Sequence, residues 1–135
     1  MQLVNSQLSK QYLDDEKSLL EQFFYYTPDL LCIASYDGRF LKVNPAVSEV
    51  LGYTEEELLN LKIRDLIFDE DKEITQETRS KMLEGVPLVN FENRYITKSG
   101  EIVWLSWTSI HIKEKDYVFA IISVRTISDF VKRNY

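Results

Sequence analysis

One cysteine, one histidine, four glycines and three prolines stand among 135 residues. The lone cysteine, Cys32, excludes an internal disulfide and a cysteine-built zinc cage. The lone histidine, His111, excludes a multi-histidine metal centre. The few glycines form no phosphate-binding loop, and serine, histidine and acid never meet at a spacing suited to nucleophilic catalysis. Long apolar runs are missing too: Tyr117 to Ile122 is the longest, far short of the roughly 18 residues of a membrane span. No basic stretch followed by an apolar one opens the chain, so no signal peptide is expected. Basic charge is the scarcer sign. Sixteen Lys and Arg against 22 Asp and Glu leave −6, which argues against a nucleic-acid partner because phosphate contacts need clustered cations.

What is present suffices for one globular domain. The chain is 44% hydrophobic and 13% aromatic, enough for a core at this length. The expected setting is a reduced, cytoplasmic one without membrane insertion. Residues 54–84 hold ten acids and five bases, so nearly all the excess charge lies in one segment, read as solvated helix faces.

Residues 6–26 predict an amphipathic helix, with Leu8, Tyr12, Leu19, Leu20, Phe23 and Phe24 on one stripe. Pro28 ends it by disfavouring helical geometry at Thr27. Leu30 to Tyr36 and Phe40 to Val43 read as two strands joined by the turn pair Asp37-Gly38. Asn44-Pro45 starts a helix that stops at Gly52. Thr54 to Glu57 is a capping box opening a short helix to Leu59. A turn over Arg64 to Ile67 follows, and Asp69 or Asp71 caps a helix to Leu83 whose buried edge is Ile74, Thr78 and Met82. Three strands close the chain: Val89 to Thr97, Glu101 to Ile112 and Tyr117 to Thr126. Their short connections imply antiparallel neighbours, and the element order implies an α+β fold.

Alternation on the middle of these strands sends Val103, Leu105 and Trp107 one way and Ile102, Trp104, Ile110 and Ile112 the other. Both faces are apolar, whereas a single sheet wetted on one side reads polar there. Something must therefore cover the outer face: the N-terminal helix, its counterpart from a second copy, or both. His111, near a strand end, reads as a sheet-surface residue. The inward set Phe91, Asn93, Tyr95, Val103, Leu105, Trp107, Ala120 and Ile122 contains no acid, which disfavours a cavity-bearing isomerase, the remaining enzyme alternative.

Two strings carry a family resemblance. Residues 44–58, Asn44-Pro45-Ala46-Val47-Ser48-Glu49-Val50-Leu51-Gly52-Tyr53-Thr54-Glu55-Glu56-Glu57-Leu58, resemble a PAS domain, as does the run from Phe91 through Arg94-Tyr95 and Lys98-Ser99-Gly100 to Trp104. The likeness extends from Thr27 to about Ser128. It implies a five-stranded antiparallel sheet of order 2-1-5-4-3 with short helices around a small cavity. It divides the chain into an N-terminal helix (1–26), the domain (27–128) and the start of a C-terminal linker helix (129–135). It implies a non-enzymatic sensory module that binds a ligand, dimerises, or both. The parent it implies is a bacterial signalling protein with a covalently linked effector, a sensor histidine kinase first, with a cyclic-dinucleotide enzyme, a transcription regulator or a ligand-free spacer as alternatives.

The residue pattern and the resemblance together distribute roles: alternation and the apolar stripe give the lining and the docking face, and the resemblance gives the output junction and the cofactor expectations. Cys32, Ala34, Met82, Phe91, Asn93, Tyr95, Leu105, Trp107, Ala120 and Ile122 are the expected pocket lining, with Asn93 and Tyr95 as polar anchors. Leu8, Tyr12, Leu19, Phe23, Ile102, Trp104 and Ile110 form the expected homodimer or helix-docking face. Arg125, Thr126, Ile127 and Ser128 form the output junction, where the family's usual Asp-Ile-Thr is replaced by Thr126-Ile127-Ser128. Flavin photochemistry is not expected, because no cysteine stands near Ile63. Haem is not expected either, because the helix from Asp71 to Leu83 has no histidine.

Overall fold

A computed structural model describes the backbone of residues 2–125 and the side chains of residues 10, 11 and 14–125. Leu8 and Tyr12 of the expected docking stripe lie outside the described side chains. Thr126, Ile127, Ser128 and the linker segment 129–135 lie outside the described residues.

Helix α1 (Gln2–Tyr26) leads into β1 (Leu30–Ser35) and β2 (Phe40–Val43). Helices α2 (Pro45–Leu51), α3 (Glu55–Leu59) and α4 (Ile63–Leu66) follow, then a 3-10 turn (Asp69–Asp71) and α5 (Lys72–Leu83). Strands β3 (Leu88–Ile96), β4 (Ile102–Ile112) and β5 (Tyr117–Val124) complete one antiparallel sheet of order 2-1-5-4-3, the order the resemblance implied.

The local signals work as chemistry. Asn44 caps α2, and Gly52 ends it at φ +81°, a left-handed conformation that suits a residue without Cβ. The Thr54 hydroxyl accepts from the Glu57 amide at 3.1 Å, and Glu57 returns the bond to the Thr54 amide at 3.0 Å. Gly38, at φ +86°, turns the β1–β2 hairpin.

Several expectations need correction. Helix α1 begins at Gln2, not Ser6, and α4 begins one residue earlier than expected. Asp71 does sit at the start of α5 but makes no capping bond, because Arg94 holds its carboxylate. Of the three residues assigned to the buried edge of α5, only Met82 is buried; Ile74 is 51% exposed, and the Thr78 hydroxyl bonds back to the Ile74 carbonyl. His111 is not a surface residue. Its side chain is 7% exposed and it faces Asp116 at 3.3 Å, as its parity with Trp107 requires. The helix α1 does not lie over the outer face within the chain: Trp104 and Phe119 are each 41% exposed, and Phe23 is 71% exposed. Instead its end meets β2, where Lys42 Nζ sits 4.9 Å from the Phe24 ring and 5.3 Å from the Tyr25 ring.

The inner face has two unequal ends. Toward α2 and α3 it is solid: Val43, Val47, Leu51, Leu58, Leu105 and Ile122 belong to one cluster with almost no exposure. Toward α5 the packed set thins to Ala34, Met82 and Val118. The segment carrying α4 crosses between the sheet's outer strands. Lys62 bridges to Arg39 beside β2, and Ile67 bridges to Tyr95 on β3. At its two ends the Ile63 amide donates to the Gly38 carbonyl (3.0 Å) and the Phe68 amide to the Arg94 carbonyl (2.9 Å).

Candidate functional site

The thin end holds an open-sided cavity of about 420 Å³, a size suited to a small organic ligand. Its floor is the inner sheet face, where small residues (Cys32, Ala34, Ser109 and Ala120) stand beneath a helix that contributes Thr75, Thr78 and Arg79. Small floor residues under a polar helix face leave the space unfilled. Phe91, Tyr95 and Trp107 form an aromatic wall, with the Tyr95 and Trp107 rings stacked at 5.2 Å and 30°.

Of the ten residues expected to line a pocket, Cys32, Ala34, Met82, Phe91, Asn93, Tyr95, Trp107 and Ala120 meet at this cavity. Leu105 and Ile122 do not; they pack in the main core cluster with Val47, Leu51 and Leu58, a cluster that also takes in Cys32, Tyr95, Trp107 and Ala120 from the cavity wall. The sequence reading missed the charged side of the cavity: Lys62 and Arg64 from the α4 segment, Lys72 and Arg79 from α5, and Asp37 from the hairpin. The signal was available, since four of the five bases in the acidic segment 54–84 are these residues.

The floor's chemistry is dominated by burial. Desolvation pushes the Cys32 thiol up to about 12, so it is a neutral S–H at physiological pH rather than a nucleophile. Burial, with Cys32 beside it, likewise holds the Tyr95 phenol well above its ordinary range. At this cavity two buried polar atoms have no hydrogen-bond partner among the described residues: Asn93 Oδ1 and Trp107 Nε1. Asn93 is 2% exposed and donates from Nδ2 to Thr75 Oγ1 at 3.1 Å. Whichever way its amide is turned, Thr75 satisfies only one end. Among the described residues no group of three His, Cys, Asp or Glu could hold a metal ion.

Two side chains tie this end to the outer face. Arg94 holds Asp71 with its backbone amide (2.7 Å), Nε (3.0 Å) and Nη2 (2.7 Å). That guanidinium keeps the Asp71 carboxyl below the usual carboxylate range. Its carbon lies 4.4 Å from the Phe68 ring and 5.0 Å from the Trp104 ring, so one cation is stacked between two aromatics. Arg125 is the described part of the expected output junction. Its amide donates to the Trp104 carbonyl at 2.9 Å, and its guanidinium stands 3.3 Å from Glu92.

The expected docking face divides. Ile102, Trp104 and Ile110 are exposed on the outer sheet, joined there by Tyr117, Phe119 and Ile121. Leu19 and Phe23 are exposed on α1.

A family profile described as the PAS domain matches residues 28–129. The chain belongs to the PAS domain family. Solved structures agree on the PAS fold. A domain of the sensory box sensor histidine kinase/response regulator from Geobacter sulfurreducens superimposes with a TM-score of 0.72 at 23% identity, covering 84% of this chain and 96% of that one. The PAS domain of an HTR-like protein from Haloarcula marismortui does so with a TM-score of 0.66 at 26% identity, covering 88% and 99%. In sequence, a probable diguanylate cyclase, DgcE, from Escherichia coli (strain K12) is 24% identical over 96 residues, 70% of this chain. The chain spans 9% of that relative's length. No helix of this PAS domain's described residues is long and apolar enough to cross a membrane.

Proposed function

We propose that this PAS domain is the ligand-sensing, dimerising module of a bacterial signalling protein whose effector is covalently attached, with a sensor histidine kinase as the parent. In this reading residues 27–128 form the sensor, 1–26 a helix shared between two copies, and 129–135 the start of the output linker. The observation that carries it is the unfilled cavity with two buried, unpartnered polar atoms. A domain serving only as a spacer gains nothing from leaving Asn93 Oδ1 and Trp107 Nε1 unpaired, since each costs about 1–3 kcal/mol. The similarity to DgcE favours a second parent, a diguanylate cyclase, with the same role for this domain.

The outer face supports the dimer. Ile102, Trp104, Phe119 and Ile121 form an exposed apolar surface that a second copy about a two-fold axis would cover together with α1.

Two measurements test the proposal. A fragment library screened by the ¹H–¹⁵N signals of the two indole N–H groups is expected to give compounds that move the Trp107 signal; a library without such compounds overturns the sensing role. Sedimentation is expected to show a dimer for the unaltered chain and a folded monomer for Trp104→Glu. An unaltered chain that stays monomeric at high micromolar concentration overturns the dimer.

A further inference from the structure

The chain carries −6, yet its cavity is lined by four cations and one carboxylate. Excess charge elsewhere is acidic, so the positive character is local to the cavity. The cations are not consumed by neighbours. Among the described residues Lys62 and Arg64 make no ion pair, and Arg79 donates from Nη2 to the main-chain carbonyl of Tyr36 rather than to a carboxylate. Only Lys72 is neutralised, by Asp69 at 2.8 Å. The single acid, Asp37, accepts from the Ser35 hydroxyl. Three cations in one lined cavity without an anionic partner describe half of an ion pair.

The other end of the cavity is different in kind. It is aromatic and aliphatic, with a buried indole N–H that needs an acceptor and a buried amide oxygen that needs a donor. On the sheet, Phe91 is directly opposite Trp107, and Asn93 follows two residues along the same face, so the two unsatisfied groups are diagonal neighbours. A hydroxyl can donate and accept at once.

Resting on the reading of this cavity as a ligand site, we infer that its ligand is a small organic anion: a carboxylate held by Lys62, Arg64 and Arg79, on an apolar or aromatic body whose far end carries a hydroxyl for Asn93 and Trp107. The charge decides the orientation. A carboxylate at the floor would be stripped of water among Cys32, Tyr95 and Trp107, whereas toward the exposed Lys62 and Arg64 it keeps water and gains charge-assisted hydrogen bonds. The hydroxyl end is neutral and suits the buried floor.

The test uses matched probes: 4-hydroxyphenylacetate and phenylacetate, with the primary amide of each as the uncharged counterpart. Binding is followed by the Trp107 indole N–H signal, assigned with Trp104→Phe. The expected result is that both acids move the Trp107 signal at millimolar concentration, the hydroxylated one more tightly. The amides are expected to bind about tenfold or more weakly. The double variant Lys62→Gln/Arg64→Gln, both sites exposed, is expected to weaken the acids about tenfold and leave the amides unchanged. Amides that bind as tightly as the acids, or a double variant that binds the acids normally, overturn the anion assignment. So does a Trp107 signal that ignores all four probes while library fragments still move it. Silence toward the library as well overturns the ligand reading itself.

Discussion

Among the described residues two asparagines are buried, and they live differently. Asn44, fully enclosed, accepts from the Leu31 amide at 3.0 Å and the Val47 amide at 3.4 Å while donating to the Asp29 carbonyl at 2.8 Å. It caps α2 and pins the start of β1 with one side chain. Asn93, almost as buried, has one partner and an unpaired oxygen. The first belongs to the solid end of the sheet and the second to the hollow end. The difference shows where the molecule spends its polar groups on holding itself together and where it keeps them available.

The comparison breaks most sharply at Leu58, a side chain with no measurable exposure in the solid cluster. Leu58→Ala is expected to destabilise by about 2–5 kcal/mol, because the lost contacts and the residual void both count. Denaturant unfolding checks it, and a loss below about 1 kcal/mol would mean that the solid end is not solid.

At the hollow end the Asp71–Arg94 pair ties the 3-10 turn that leads into α5 to strand β3. Asp71→Asn is expected to cost about 2 kcal/mol through the lost charge-assisted bonds. The same pair gives a pH dependence of known sign. A folded carboxyl held below its unfolded value stabilises fully above the unfolded pKa, near 3.9, and loses that contribution as pH falls through the folded one. Acid titration of stability is expected to show a decline below about pH 4 that Asp71→Asn reduces. An unchanged acid limb would sink this assignment.

The smallest stability effect is expected from filling the hollow. Ala120→Leu adds volume where about 420 Å³ is open, so stability is expected to move by less than about 1 kcal/mol. The same change is expected to abolish ligand responses at Trp107. A large destabilisation would show that the floor has no room.

Much of this contrast was legible beforehand, and the rest fails for a physical reason. Caps and turns depend on neighbours in sequence, so Asn44-Pro45, Gly52 and the Thr54–Glu57 box read directly. Alternation told which face each strand residue occupies, which is why Phe91, Asn93, Tyr95, Trp107 and Ala120 met at one cavity. It carries no information on position along the strand. Leu105 and Ile122 share the inward face with Trp107 and Ala120, yet neither lines the cavity. Asp71 looked like a cap because its competitor, Arg94, is 23 residues away. Arg79 escaped notice because a polar helix face is ordinarily a wet one; here it roofs a cavity. His111 was readable after all, since it shares parity with Trp107.

The strap that carries α4 has an effect beyond the cavity. An open sheet has two outer strands, and their unpaired backbone groups invite pairing with another chain. In this domain the Lys62 and Ile67 bridges, with the amides of Ile63 and Phe68, occupy hydrogen-bonding positions beside β2 and on β3. One short stretch therefore blunts both edges. The strap thus occupies the chain just before β2 and the Arg94–Tyr95 stretch of β3, where an added strand would have to displace it. Loosening the strap would put solubility at risk as well as the cavity it crosses.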